Sequence, residues 1–148
     1  MRAAQIGISP GQDGAGLVGL PVWMWTAVTP QTWGPITATA SVPGLSVTAR
    51  GNATKIRWEM GDGHAVVCAN PGTAYDKAAQ SGSRSPTCGY DGYSAPSRTK
   101  PGGSYTVTVT TTWHVDWWVE GGGASGTETL TRATTTSIRI DELQVVTG

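Results

Sequence analysis

The chain has 148 residues, enough for one domain with a sizeable core and long loops. It carries 22 Thr, 21 Gly and 9 Pro, only 14% charged residues, and a formal net charge of zero. That composition argues against a helical fold, against a nucleic-acid partner and against an anionic membrane surface, and no apolar run is long enough for membrane insertion.

Residues 1–16 are polar and Gly-rich without periodicity, which predicts a flexible tail or an arm, and residues 17–148 are predicted as a single domain. Met1 to Gln5 lead into Gly, Ser and Pro rather than an apolar run, so no signal peptide is visible. The cysteine pair and the Thr/Gly/Trp-rich, Lys-poor composition favour an extracellular or cell-surface mature region behind a start methionine.

Residues 17–35 hold the first apolar segment, with Val22, Trp23, Met24 and Trp25. Both of its faces are apolar, which predicts either a first strand buried on both sides or a Trp-rich arm laid over the body. Three short strands follow. Ile36, Ala38, Ala40 and Val42 alternate with Thr and Ser up to a turn at Pro43-Gly44. Leu45, Val47 and Ala49 alternate up to a predicted turn at Gly51-Asn52. Ile56, Trp58 and Met60 alternate with Lys55, Arg57 and Glu59 up to Gly61-Asp62-Gly63, and Ala65–Cys68 starts a return strand.

Residues 69–103 form a long connection rich in Gly, Pro, Ser, Tyr and Asp, the kind that is functional or tied down. Cys68 and Cys88 bracket its first part. Metal sites want Cys-x-x-Cys spacing or nearby histidines, and His64 and His114 supply neither, so the pair reads as a disulfide.

Residues 104–144 read as an overlong C-terminal hairpin. From Tyr105 to Val119 the odd positions are apolar or Thr, and the even ones are polar except Trp118. Gly121 to Gly126 is the predicted tip. Closing the hairpin symmetrically on it places Leu130 opposite Trp117, Ile138 opposite Val109 and Ile140 opposite Val107, and brings both apolar faces together. A slip of phase after Ile140, with Leu143 and Val145 next, predicts a bulge near Asp141-Glu142. A strand of this length spans roughly 50 Å. Its distal part, from about Thr112 to Thr134, is therefore predicted to overhang the body as a twisted ribbon.

Trp58-Glu59-Met60-Gly61-Asp62-Gly63 resembles the Trp-x-x-Gly-Asp-Gly signature of PKD domains, and Gly103-Ser104-Tyr105-Thr106-Val107-Thr108-Val109 resembles their Gly-x-Tyr-x-Val-x-Val strand. The ordered pair covers roughly residues 36–112. The resemblance implies an all-β, immunoglobulin-like (PKD-type) sandwich, with Trp58, Gly61, Asp62, Gly63 and Tyr105 in structural roles. It also implies an extracellular binding or spacer module. The long bracketed insertion, the overlong hairpin and the Trp-rich N-terminal segment resemble secreted actinobacterial PKD-like proteins of unassigned function.

Other constellations weigh less. Asp62, with Glu59 and Asp91, would be a start on a calcium loop, but Ca²⁺ wants six to eight oxygens and a tight local turn explains Gly-Asp-Gly. Gly14–Gly19 and Gly121–Gly126 match Gly-x-Gly-x-x-Gly without the strand-to-helix context that binds phosphate. Asn52-Ala53-Thr54 is a formal glycosylation sequon. No nucleophile motif is present, and the carboxylates Glu59, Asp62, Asp76, Asp91 and Asp116 are unplaced in space, so the expectation is a non-enzyme without cofactor or metal. Trp118, together with Trp113 and Trp117 on the ribbon, is the leading binding candidate, since exposed aromatics serve protein hot spots and sugars. The competing possibility for Trp118 is burial beneath the Trp23/Trp25 segment. Tyr90 and Tyr93 are secondary candidates. The expected partner is a protein on a cell surface or in a secretion- or pilus-type assembly. The alternatives are a carbohydrate and, as an enzyme, a carboxylate-based hydrolase.

Overall fold

The computed structural model describes residues 1–12, 14–76, 78 and 82–143. It is an all-β sandwich of ten strands among the described residues, with two short 3-10 turns at Ser97–Thr99 and Pro101–Gly103. The strands are β1 (Ile6–Ser9), β2 (Gly16–Leu17), β3 (Val22–Thr26), β4 (Ile36–Val42), β5 (Leu45–Glu59), β6 (Ala65–Cys68), β7 (Gly89–Tyr90), β8 (Tyr105–Val119), β9 (Ser125–Ile138) and β10 (Ile140–Asp141).

The large sheet runs β4-β5-β8-β9, with β6 paired to the far half of β5. The small sheet runs β1-β3-β7, and β10 pairs with β2 in parallel. Ile8, Val22 and Met24 of the small sheet cluster with Ile56, Trp58, Val107, Val109 and Ile138 of the large one, each at most 1% exposed. Alternate residues of a strand point to opposite faces, so Gly7, Trp23 and Trp25 lie on the outside of the small sheet.

Residues 1–16 are not a loose tail. Ile6–Ser9 pairs antiparallel with β3, from Ile6 opposite Thr26 to Ser9 opposite Trp23, and Ala4 and Ile8 are buried. The period-two signal of Ala4, Ile6 and Ile8 is short and diluted by Gly and Ser. Gly7 is needed there, because a Cβ on it would run into the Trp25 indole. Segment 22–26 is the central strand of the small sheet, buried on both faces except at Trp25.

The predicted turn at Gly51-Asn52 is absent. Leu45–Glu59 is one 15-residue strand with a bulge between Ala53 and Lys55. The sequence does change phase here, from Val47, Ala49, Gly51 and Ala53 to Ile56 and Trp58. An extra residue, Thr54, absorbs that change while the chain stays paired to β8.

The long hairpin is present in a different register. Trp113 faces Leu130, Val109 faces Thr134 and Tyr105 faces Ile138. The turn is tighter and earlier than predicted: Val119 N–H donates to the Ala124 carbonyl at 2.9 Å, closing over Glu120–Gly123. Ser125 and Gly126 belong to β9, where Gly126 seats the Trp117 indole; a Cβ there would lie 2.6 Å from Cζ2 of Trp117. Nor does the hairpin overhang as a two-stranded ribbon. β5 pairs with β8 as far as Val47 opposite Val119, and β4 extends the sheet, so the distal half has four strands. The break after β9 falls at Arg139 rather than Asp141-Glu142, and Ile140 leaves the large sheet to pair with Gly16. Val145 lies outside the described residues.

A candidate contact surface on the distal sheet

The small sheet covers only the proximal half of the large one. On the distal half, cross-strand partners share a face. One face carries Ile36, Ala38, Ala40 and Val42 of β4, Leu45, Val47, Ala49, Gly51 and Ala53 of β5, and Trp113, Val115, Trp117 and Val119 of β8. The opposite face carries Thr, Ser and charged residues together with His114, Asp116 and Trp118.

The apolar face is covered at its inner end. The Trp113 indole N–H donates to the Arg2 carbonyl at 3.1 Å, and Gly34 comes close enough that a Cβ would lie 3.1 Å from its ring. The Met1 side chain sits on Gly51, and Ala53 N–H donates to the Trp33 carbonyl at 2.9 Å. Trp113 is consequently 0% exposed and is a core residue rather than a binding residue. The outer end has no such cover among the described residues. Val42 is 61% exposed and Leu45 is 48% exposed, with Ala38 and Ala40 exposed and Val47, Trp117 and Val119 half-buried beside them.

Trp118 lies on the polar face, half-buried, with its indole N–H donating to Glu120 Oε1 at 2.8 Å. The Thr48 hydroxyl, opposite it in the sheet, donates to the same carboxylate oxygen at 3.2 Å. The Trp23/Trp25 segment does not cover it. Trp23 lies on the small sheet, where its indole N–H donates to the Ser83 carbonyl at 2.8 Å and its ring meets Tyr75 edge-on. His114 and Asp116 approach to 3.1 Å with both side chains exposed, so the pair contributes little to stability.

The Gly-Asp-Gly turn belongs to a different region. Gly61 and Gly63 take φ of 84° and 89°, where other residues are strained, and a Cβ on Gly61 would lie 2.5 Å from the Thr106 carbonyl oxygen. Asp62 accepts the His64 backbone N–H at 3.0 Å on one oxygen and the Tyr90 hydroxyl at 2.5 Å on the other. Tyr93 is 1% exposed, donates to the Met60 carbonyl at 2.9 Å, and stacks on Tyr105 at 4.4 Å. Tyr90 meets Tyr93 edge-on, and the Tyr105 hydroxyl donates to the Ala95 carbonyl at 2.7 Å. The two loop tyrosines therefore tie the segment after Cys88 to the turn, and the ring of Tyr93 is buried there. The Cys68–Cys88 disulfide is formed, and Gly89-Tyr90 directly after it pairs with Val22-Trp23.

The carboxylates sit in separate local arrangements. Glu59 lies 4.0 Å from Arg57, Asp91 pairs with Arg84 at 3.2 Å, Asp76 accepts the Ala78 N–H at 2.9 Å, and Asp116 faces His114. Among the described residues no group of three His, Cys, Asp or Glu is placed to hold a metal ion. No helix among them is long and apolar enough to cross a membrane.

Burial, followed by the Asp62 carboxylate, pushes the Tyr90 and Tyr105 hydroxyls above their ordinary value of 10.0, and burial does the same to Tyr93. A raised phenol favours the neutral form in the fold. Its stabilisation is complete below pH 10 and is lost as pH climbs above that value. An absorbance titration at 295 nm should show phenolate from these three tyrosines emerging above pH 10 together with unfolding. Full ionisation near pH 10 with the fold intact would contradict the cluster.

No protein-family model, curated protein or solved structure matches the chain.

Proposed function

We propose that this chain is an immunoglobulin-like module of the PKD type, extracellular or on a cell surface, that acts without catalysis by contacting another protein, at a cell surface or in a secretion- or pilus-type assembly. The observation that carries this is the uncovered outer end of the apolar face, with Val42 and Leu45 beside Val47, Trp117 and Val119. Contiguous exposed apolar surface on a folded domain marks a contact site. The partner's chemistry follows from the patch: a mainly apolar protein surface, with the Glu128 carboxylate of β9 at the margin of the patch, opposite Val115. The disulfide suits an oxidising compartment. The PKD reading is supported by how the two motifs meet, with Trp58 paired to Val109 and Gly61 packed against Thr106. The separate, locally engaged carboxylates favour a non-catalytic role.

The test is the double substitution Val42→Lys with Leu45→Lys in the host protein. Both side chains are exposed, so the melting temperature should stay within about 2 °C of wild type. The variant should sediment free in host extracts where the wild type sediments as a complex. Identical sedimentation of the two would remove the proposal. Retention of wild type but not variant on chitin, cellulose or cell-wall glycan would replace the protein partner with a carbohydrate.

A further inference from the structure

β9 forms an outer edge of the large sheet, and among the described residues no strand lies beyond it. It runs for 14 residues without a proline. The edge strand β4 is half that length and lies between Pro35 and Pro43, residues that discourage edge pairing. β9 has no such guard and presents a long row of backbone donors and acceptors.

The phase of that row follows from the hairpin. Val119 and Ala124 are a hydrogen-bonded pair, and the register is unbroken along the hairpin. Bonded and unbonded pairs alternate in an antiparallel ladder. Even-numbered residues of β9 therefore aim N–H and C=O at β8, and odd-numbered ones from Ser125 to Ser137 aim theirs outward. The Arg132 guanidinium donates to the Thr131 carbonyl at 3.0 Å, one of these outward groups.

The side chains add a self-complementary pattern. Glu128 and Arg132 flank Leu130 at equal spacing on one face, and both charged side chains are exposed. Among the described residues neither takes part in an ion pair.

We propose that β9 pairs antiparallel with β9 of a second copy of this chain about a twofold axis at Leu130, joining the two large sheets into one. In that register Ser125 bonds with Thr135 of the second copy, Thr127 with Ala133, and Thr129 with Thr131, all residues whose backbone groups point outward. Leu130 meets Leu130, and each Glu128 faces Arg132 across the axis, in the unbonded pairs where side chains come closest. Arg132 exchanges the Thr131 carbonyl for this carboxylate, and that carbonyl accepts the Thr129 N–H of the second copy. Other registers are worse. Centring on Glu128 or Arg132 opposes like charges, and centring on Thr129 or Thr131 places the charges against Leu130, Gly126 or Thr134. The axis stands perpendicular to the sheet, so both apolar faces lie on the same side. The dimer uses the β9 edge and not Val42 and Leu45 across the sheet, so it stands or falls separately from the proposed partner.

Sedimentation of the disulfide-intact protein should show a concentration-dependent dimer. Glu128→Arg and Arg132→Glu should each weaken it about tenfold or more, by setting like charges opposite each other. Mixing these two variants should restore a dimer containing one copy of each. Thr129→Pro removes an outward N–H that β8 does not use. It should also abolish the dimer while near-UV circular dichroism stays that of the wild type. A wild-type chain that remains monomeric at all concentrations would overturn the proposal. So would a dimer indifferent to the charge changes, or a mixture of the two variants that fails to recover it.

Discussion

Replacing Trp113 with alanine is expected to cost about 3–5 kcal/mol of stability, the range for removing a fully buried large aromatic side chain. The ring is 0% exposed, with Gly34 packed against it and the Arg2 carbonyl on its indole N–H. Loss of the ring leaves a cavity and frees the N-terminal segment from the sheet. For a chain of this size the melting temperature should fall by about 10 °C or more. Trp113→Phe should cost less, because it keeps most of the packing and loses one hydrogen bond worth about 1 kcal/mol. Trp118→Ala should cost least of the three, since that side chain is only half-buried. Urea unfolding of the three variants measures this order. A Trp113→Ala variant as stable as wild type would return Trp113 to the surface and undo the packing of residues 1–4 and 33–34 over the sheet.

The second large effect concerns Cys68 and Cys88, whose bond closes a span of 20 residues. Replacing both with alanine should cost about 3 kcal/mol on the chain-entropy account of loop closure. The bond holds β7 beside β3 and brings Tyr90 to Asp62. Its removal should therefore also loosen the Trp23 contact with Ser83. Calorimetry of the double variant should show a fall in melting temperature of about 10 °C. Reduced wild type should behave alike. A change below about 1 kcal/mol would mean that the segment is held by its other contacts alone.

The strands at 36–42, 56–59 and 105–119 were legible because alternation of apolar and polar residues is local and has period two. The Ala53-to-Ile56 phase change was legible too, but a turn and a bulge leave the same mark, and Gly51-Asn52 suggested the turn. The hairpin register was missed for a related reason. Moving the turn earlier alters every pair by an even number of residues and keeps both apolar faces together, so facial consistency could not select among registers. The tip was decided by contacts no window shows: positive φ at Gly121 and Gly123, and the Trp117 indole over Gly126.

Placing the aromatics required knowing what covers them. Trp113 looks like Trp117 in the alternation, yet it is buried by Arg2, from the far end of the chain, and by Gly34. Tyr90 and Tyr93 looked like loop aromatics free to bind, and their partners Asp62 and Met60 lie about thirty residues earlier. Val42 and Leu45 carried no signal as a surface, because in sequence they are ordinary strand residues beside a Pro-Gly turn. Only the small sheet's failure to reach the distal half distinguishes them.

Whether that distal face makes the contact is answered most directly by a photo-reactive residue placed at Leu45, at Val42, or at Thr37 on the opposite face, in the protein at its native site in the host. Cross-linking to one and the same protein from positions 42 and 45, and none from 37, is the result expected. Equal cross-linking from all three positions, or from 37 alone, would contradict a contact surface on the apolar face of the distal sheet.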